Sequence, residues 1–221
     1  MTGQPDDASS APGYFGTRLA HDPNRAKVWR HLTAYLARWV PADARVLELG
    51  AGWCDFANLV RARSVTAVDL EAVVLTAAAG HVRAIVGDAT ELRELADASF
   101  DVVFASNVLE HLERAQGDRL LAEAVRVLRS GGRLILLQPN FRLQPGRYFD
   151  DYTHVAIFTD QSLRDYLAAS GWQVEHVAPR FLPLSMRSRG SSLSFLVPWY
   201  LRSPVKPLAG QMLVVARRPA G

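Results

Sequence analysis

Three acids in this chain stand at the ends of apolar runs. Glu48 lies within "RVLEL", Asp69 follows "SVTAV", and Asp88 follows "VRAIV" by one glycine. Between the first two acids comes "GAGWCDF", where Gly50 and Gly52 let the backbone turn tightly and approach a ligand. A dinucleotide-binding loop would place a third glycine three residues after the second, but that position is Asp55. Glu48 also argues against a pyrophosphate, since a carboxylate repels phosphate and attracts an ammonium group. Asp69, seventeen positions after Gly52, is placed to accept hydrogen bonds from both hydroxyls of a ribose. Asp88 can accept from an adenine amino group. A ligand with a cation, a ribose and an adenine meets all three acids, and S-adenosylmethionine is such a ligand.

A second set of residues has the types needed for proton transfer. His111 stands in "SNVLEHL", and Asp150, Asp151 and His154 in "YFDDYTHV". Methyl transfer from a sulfonium is an in-line displacement governed by positioning. A hydroxyl acceptor also needs a base, for which His and Asp serve. His111 and the Asp151–His154 pair are equal candidates. Cys54 reads as a small loop residue, because no electropositive motif surrounds it to activate a thiolate.

These residues must be positioned by a sheet. The runs "RVLEL", "SVTAV", "VRAIV", "DVVFAS" and "RLILLQ" lack polar alternation, as strands buried on both faces do. Helical or turn segments separate most of them, which predicts the crossovers of a parallel sheet. A helix is expected over Asn24–Val40 and another after the glycine turn. "RSGG" at Arg129–Gly132 should break the chain before the fifth strand. A further helix should begin at Thr159 and end near Gly171, followed by strands at "WQVEHV" and "QMLVVAR".

Composition narrows the class. A chain of 221 residues with 49% hydrophobic content can bury a full core. The net charge is only +3 and the arginines are scattered, so no nucleic-acid footprint is expected. The single cysteine excludes an internal disulfide and suits a reducing, cytoplasmic setting. No stretch has the apolar length of a membrane span, and no signal-peptide pattern opens the chain. Residues 1–13 are rich in Gly, Pro, Ser and Asp and are expected to be disordered.

Taken in order, "VLELGAGWCDF", "AVDL", "VGDATEL", "FDVVFASNVLEHL" and "LRSGGRLILLQPN" resemble the class I S-adenosylmethionine-dependent methyltransferases. The resemblance spans about Ala44 to Asn140. It implies a Rossmann-like α/β fold: a seven-stranded, mostly parallel sheet flanked by helices, with the last strand antiparallel. It also implies that Glu48, Gly50 and Gly52 surround the methionine portion of the cofactor, with Ala51 among the cofactor-binding residues. Asp69 would meet the ribose, Asp88 and Ala89 the adenine, Asn107 would lie near the sulfonium, and Leu70 would also border the cofactor. Cys54 departs from the pattern, since many members have a third glycine there.

The acceptor is narrowed by elimination. Methylation of amino groups on DNA bases goes with an Asn/Asp-Pro-Pro-aromatic segment after strand four, and "SNVLEH" differs. Cytosine C5 chemistry would need a cysteine in a later loop. Catechol-type enzymes hold a metal with acids where Asn107 stands, so no metal is expected. What remains is a small-molecule, glycan or lipid-like acceptor, methylated on oxygen, with N-methylation or a non-catalytic binding module as alternatives. A long, proline-rich connection over 179–209 mixes Phe, Leu, Trp and Tyr with arginines. It is expected to act first as a lid, second as an oligomer contact and third as a peripheral membrane surface.

Overall fold

The computed structural model describes Asp22 and residues 25–183 and 195–219. The expected disorder of residues 1–13, and residues 184–194 of the long connection, lie outside the described residues.

Seven strands form one sheet in the order β3-β2-β1-β4-β5-β7-β6. They are β1 (Arg45–Leu49), β2 (Ser64–Asp69), β3 (Val82–Val86), β4 (Phe100–Ser106), β5 (Leu128–Pro139), β6 (Gln173–Pro183) and β7 (Ala209–Arg217). The five strands from β3 to β5 in that order pair in parallel. β7 runs antiparallel to both β5 and β6. The order reverses direction at β1, so the carboxyl ends of β1 and β4 open the crevice where such sheets bind ligands.

Both faces of the sheet are covered, which explains the unbroken apolar runs. On one face Val46 and Phe104 pack with α1 (Arg25–Leu36) through Trp29, Leu32 and Leu36. Trp29 meets Phe104 edge-on, and Phe56 stacks on Phe104 with ring centroids 3.9 Å apart. On the other face Leu47, Leu49 and Val103 pack with α3 (Arg114–Val127) through Leu120, Leu121 and Ala124, and with α5 (Asp160–Ala169) through Leu163 and Leu167. Two short helices, α2 (Val73–Ala77) and α4 (Pro145–Tyr148), lie between strands. α5 starts as its sequence signals: the Thr159 hydroxyl accepts from Ser162 N at 3.1 Å. Gly171, at φ +84°, follows its end.

Three local expectations differ from the structure. The segment after the glycine turn forms successive turns over 52–59 instead of a regular helix. Cys54 has φ +56°, a left-handed backbone that a right-handed helix cannot contain. "RSGG" belongs to β5 as an irregularity: the register with β4 jumps from Phe100↔Leu128 to Val102↔Arg133, and Gly131 turns at φ +73°. β6 runs to Pro183, so the long connection starts beyond that strand and not at residue 179. Its described part forms α6 (Val197–Arg202), whose buried Leu201 joins the α1 side of the core. Lys206 Nζ donates to the carbonyls of Tyr200 and Leu201 at 2.7 and 3.0 Å, closing that helix. Among the described residues no helix is long and apolar enough to cross a membrane.

Candidate functional site

A cavity of about 600 Å³ opens at the carboxyl ends of the strands, and each residue singled out from the sequence lines it. Glu48, Gly50, Ala51, Gly52, Asp69, Leu70, Asp88, Ala89 and Asn107 border one half, and His111, Asp151 and His154 the other.

The first half is built from strand ends and the turn that joins them. β1 carries Glu48 on the same face as Val46, and Glu48 is 4% exposed. Its Oε2 accepts from Ala57 N at 2.9 Å. Burial pushes this carboxyl well above the ordinary range. The Ala57 hydrogen bond opposes that rise, Asp55 and Asp69 add to it, and Arg25 opposes it. A buried acid beside two others is a place for a cation. Arg25 is already engaged by Asp55, Nε to Oδ2 at 2.7 Å.

Gly50 and Gly52 turn at φ +65° and +49°. A Cβ on Gly50 would lie 2.5 Å from Val108 Cγ2, so any larger residue here would force the loop after β4 to shift. Asp69 fixes this turn from β2. Its Oδ2 accepts from Gly52 N at 2.7 Å and its Oδ1 from Glu71 N at 2.9 Å. Each carboxylate oxygen keeps a further lone pair for a ligand hydroxyl. Asp88 Oδ1 accepts from Thr90 N at 2.7 Å, which orients it after β3. Leu70 is 69% exposed at the rim, an apolar face available to a ligand ring. Asn107 follows β4 at φ +54°, a strained backbone for a non-glycine residue. It is held by its N–H on Leu137 O at 2.8 Å and by Gln211 Nε2 on its Oδ1 at 3.3 Å.

The second half joins the loop after β4 to the loop after β5. The Glu110 carbonyl accepts from Val155 N and Ala156 N at 2.8 and 3.0 Å, clamping the two loops. Thr153 Oγ1 donates to Asp151 Oδ1 at 2.6 Å and stands 2.9 Å from His111 Nδ1. His154 Nδ1 meets the Tyr148 carbonyl at 2.6 Å, and the two imidazoles lie edge to face 4.9 Å apart. Burial pushes His111 below the ordinary histidine range; His154 adds to this, while Thr153 and Asp151 oppose it. Such a ring is neutral at physiological pH and can take a proton. Burial raises the Tyr148 phenol and the Glu110 carboxyl, the latter to about 8.

Several lining residues have no role in the sequence reading: Glu110, Tyr148, Thr153, Gln211, Trp29 and Arg25. Gln211 comes from β7 and Trp29 from α1, and no local pattern announces either. None of residues 195–208 lines the cavity.

Residues 47–136 match a family profile described as a methyltransferase domain. Those residues carry a methyltransferase domain, consistent with the class I S-adenosylmethionine-dependent methyltransferase family. The chain is 34% identical over 184 residues to the malonyl-[acyl-carrier protein] O-methyltransferase of Methylococcus capsulatus, a match covering 74% of this chain and 63% of that protein. The chain thus spans less than two thirds of the curated relative it matches. Among solved structures it is similar to a SAM-dependent methyltransferase of Archaeoglobus fulgidus, with TM-score 0.62, 19% identity and coverage of 85% and 94% of the two chains. It is also similar to the geranyl diphosphate C-methyltransferase of Streptomyces coelicolor, solved with Mg2+, geranyl diphosphate and S-adenosyl-L-homocysteine. That likeness has TM-score 0.62, 14% identity and coverage of 85% and 76%. At these identities the two structures support the methyltransferase fold and not a particular acceptor.

Proposed function

We propose that this protein transfers the methyl group of S-adenosylmethionine to an oxygen of a small metabolite or glycan. One observation carries the proposal. A single cavity joins a cofactor-shaped half, with acids at three strand ends, to a half bearing His111, His154 and Asp151. The cofactor half suits the whole ligand: buried Glu48 for the ammonium, Asp69 for the ribose hydroxyls and Asp88 for the adenine amino group. When bound, the cofactor supplies an electrophilic methyl on a sulfonium. Asn107, at the junction of the two halves, then borders the path between that methyl and the acceptor.

The chain's own contribution is positioning and activation. Clamping the post-β4 and post-β5 loops through the Glu110 carbonyl fixes the acceptor half against the cofactor half. The His111–Thr153–Asp151 chain and His154 activate the acceptor hydroxyl. The likeness to an O-methyltransferase of malonyl-[acyl-carrier protein] favours a second acceptor, a carboxylate, which needs no deprotonation near neutral pH. Arg147 lines the cavity, its Nε 3.7 Å from Asp150 Oδ2, and supplies a positive charge that such an acceptor could share.

Radiolabelled methyl transfer to panels of hydroxyl, carboxyl and amine acceptors, with malonyl-acyl-carrier protein included, tests this. Labelled methyl ether or ester is expected. Label only on nitrogen would give the chemistry to the N-methyl alternative. Cofactor binding without transfer to any class would favour a non-catalytic module.

A further inference from the structure

The acceptor half holds an acid to which the activation of a hydroxyl gives no role. Glu110 is 0% exposed, and neither oxygen of its carboxylate has a hydrogen-bond partner. Ionising a buried carboxyl that has no donor carries a large desolvation cost. Two imidazoles face it: His111 Nε2 lies 3.9 Å and His154 Nε2 4.0 Å from Glu110 Oε1.

The tautomers follow from the other side of each ring. The Tyr148 carbonyl can only accept, so His154 Nδ1 donates to it at 2.6 Å. Thr153 Oγ1 spends its proton on Asp151 at 2.6 Å, so it accepts from His111 Nδ1 at 2.9 Å. Each ring is thus anchored through Nδ1, and Nε2 is the atom it brings to within 4.0 Å of Glu110. The three candidate donor atoms lie within 4.8 Å of one another. A shared proton does not bridge gaps of 3.9 Å and 4.0 Å. A cation does.

We propose that Glu110, His111 and His154 bind one divalent first-row transition ion, whose open positions face the cavity and receive the acceptor oxygen. Two imidazoles and one carboxylate make a donor set for Zn2+, Co2+ or Mn2+; Mg2+ prefers oxygen ligands alone. Bonds of roughly 2.1 Å put adjacent donors about 3 to 3.5 Å apart, so the three side chains close by about an ångström on binding. Anchoring of the far ring nitrogen by a carbonyl or by a hydroxyl–carboxylate pair is the outer-shell arrangement that orients metal-binding histidines.

This inference rests on the oxygen-acceptor reading and says how the cluster activates that oxygen: as ligands to a Lewis acid, in place of proton acceptors. The acceptor hydroxyl loses its proton to water at the cavity mouth. Its oxygen pair forms the new O–C bond as the methyl's bond to sulfur breaks.

The test uses the whole chain, stripped with a chelator and titrated with Co2+ by visible absorption and with Zn2+ by calorimetry. One saturable ion per chain is expected, with affinity at least about 100-fold lower in Glu110→Gln and in His154→Ala. A tenfold excess of Mg2+ should not displace it. No saturable site in the wild type, binding unaffected by the substitutions, or displacement by Mg2+ at parity would each overturn the proposal. Circular dichroism accompanies each variant, and His154→Ala keeps the test open should Glu110→Gln fail to fold. S-adenosylhomocysteine is titrated into the same samples. Metal binding without cofactor binding would sink the methyl-transfer reading and leave the metal site. Cofactor binding without metal binding would do the reverse.

Discussion

Gly50→Ala probes the hinge between cofactor loop and sheet. Two costs add at this position. The backbone at φ +65° is left-handed, which costs an alanine about 1 kcal/mol. The new Cβ would also stand 2.5 Å from Val108 Cγ2, an overlap that forces a shift costing about 1–3 kcal/mol. The sum is about 2–4 kcal/mol, or a fall in Tm of about 5–12 °C for a chain of this size. Thermal melts of Gly50→Ala, Val108→Ala and the double variant, all without cofactor, separate the two contributions. Val108→Ala removes the methyl that would collide, so the double variant should recover about 1–2 kcal/mol relative to additivity. The φ contribution should persist. A Gly50→Ala melt within about 2 °C of wild type, or a double variant that is simply additive, would refute the tight closure of the loop on Val108.

Other consequences can be measured independently. His111→Ala, Asp151→Asn and His154→Ala should each lower turnover by about two to four orders of magnitude while cofactor affinity stays constant; steady-state kinetics on an identified acceptor decide this, and full activity in all three would remove the cluster from the chemistry. Burial pushes the Cys54 thiol up to about 12, with Glu48, Asp69 and Asp55 adding to it, so the native protein should resist alkylation at neutral pH and react once denatured, as mass spectrometry would show. Asp101 gives an acid-side signature. Burial raises its carboxyl, but hydrogen bonds from the Arg45 N–H and side chain, with the charges of Arg129 and Arg45, outweigh that and hold it below the ordinary range. Its stabilisation is therefore full above the unfolded value of about 3.9 and is lost as pH falls through the lower folded value. The Tm gap between wild type and Asp101→Asn should shrink below about pH 4, and a constant gap down to about pH 2 would contradict the assignment.

The gathering of the three acids in one cavity is legible in the sequence because they sit at strand ends. Glu48 lies one residue before the end of its apolar run, and Asp69 and Asp88 follow theirs, so the parallel pairing of β1 with β2 and β2 with β3 carries all three to the carboxyl ends of the strands. The third-glycine position was legible only in part. Cys54 takes the left-handed backbone that glycine would, and this turns an expected helix into a series of turns. The acceptor half was harder to read. His111, Asp151 and His154 were visible as types, but their union depends on a contact between loops some forty residues apart, made through backbone hydrogen bonds that leave no sequence pattern. Glu110 stands beside His111 in "EHL" with no signal of its own. An acid in a polar loop reads as solvated, and only tertiary packing buries it. The length of β6 and the burial of Leu201 are likewise tertiary, since β7 supplies the pairing and α1 the cover.

The central claim is that the strand-end acids bind S-adenosylmethionine, and calorimetric titration with S-adenosylhomocysteine tests it most directly. The carboxylate of Asp69 has room for two ribose hydroxyls, so Asp69→Ala should lose about 3 kcal/mol, or about 150-fold in Kd, without loss of fold. The protonation of Glu48 adds an internal check. Burial holds its carboxyl well above the ordinary range in the free protein, whereas a ligand ammonium favours the ionised form. Binding should therefore release a proton, seen as a buffer-dependent heat, and affinity should rise with pH until the free carboxyl has ionised. One-site binding with proton release by the wild type, and a binding loss of the stated size in Asp69→Ala, is the predicted result. Absence of binding by the wild type, or equal affinity in Asp69→Ala, would contradict the assignment of this cavity.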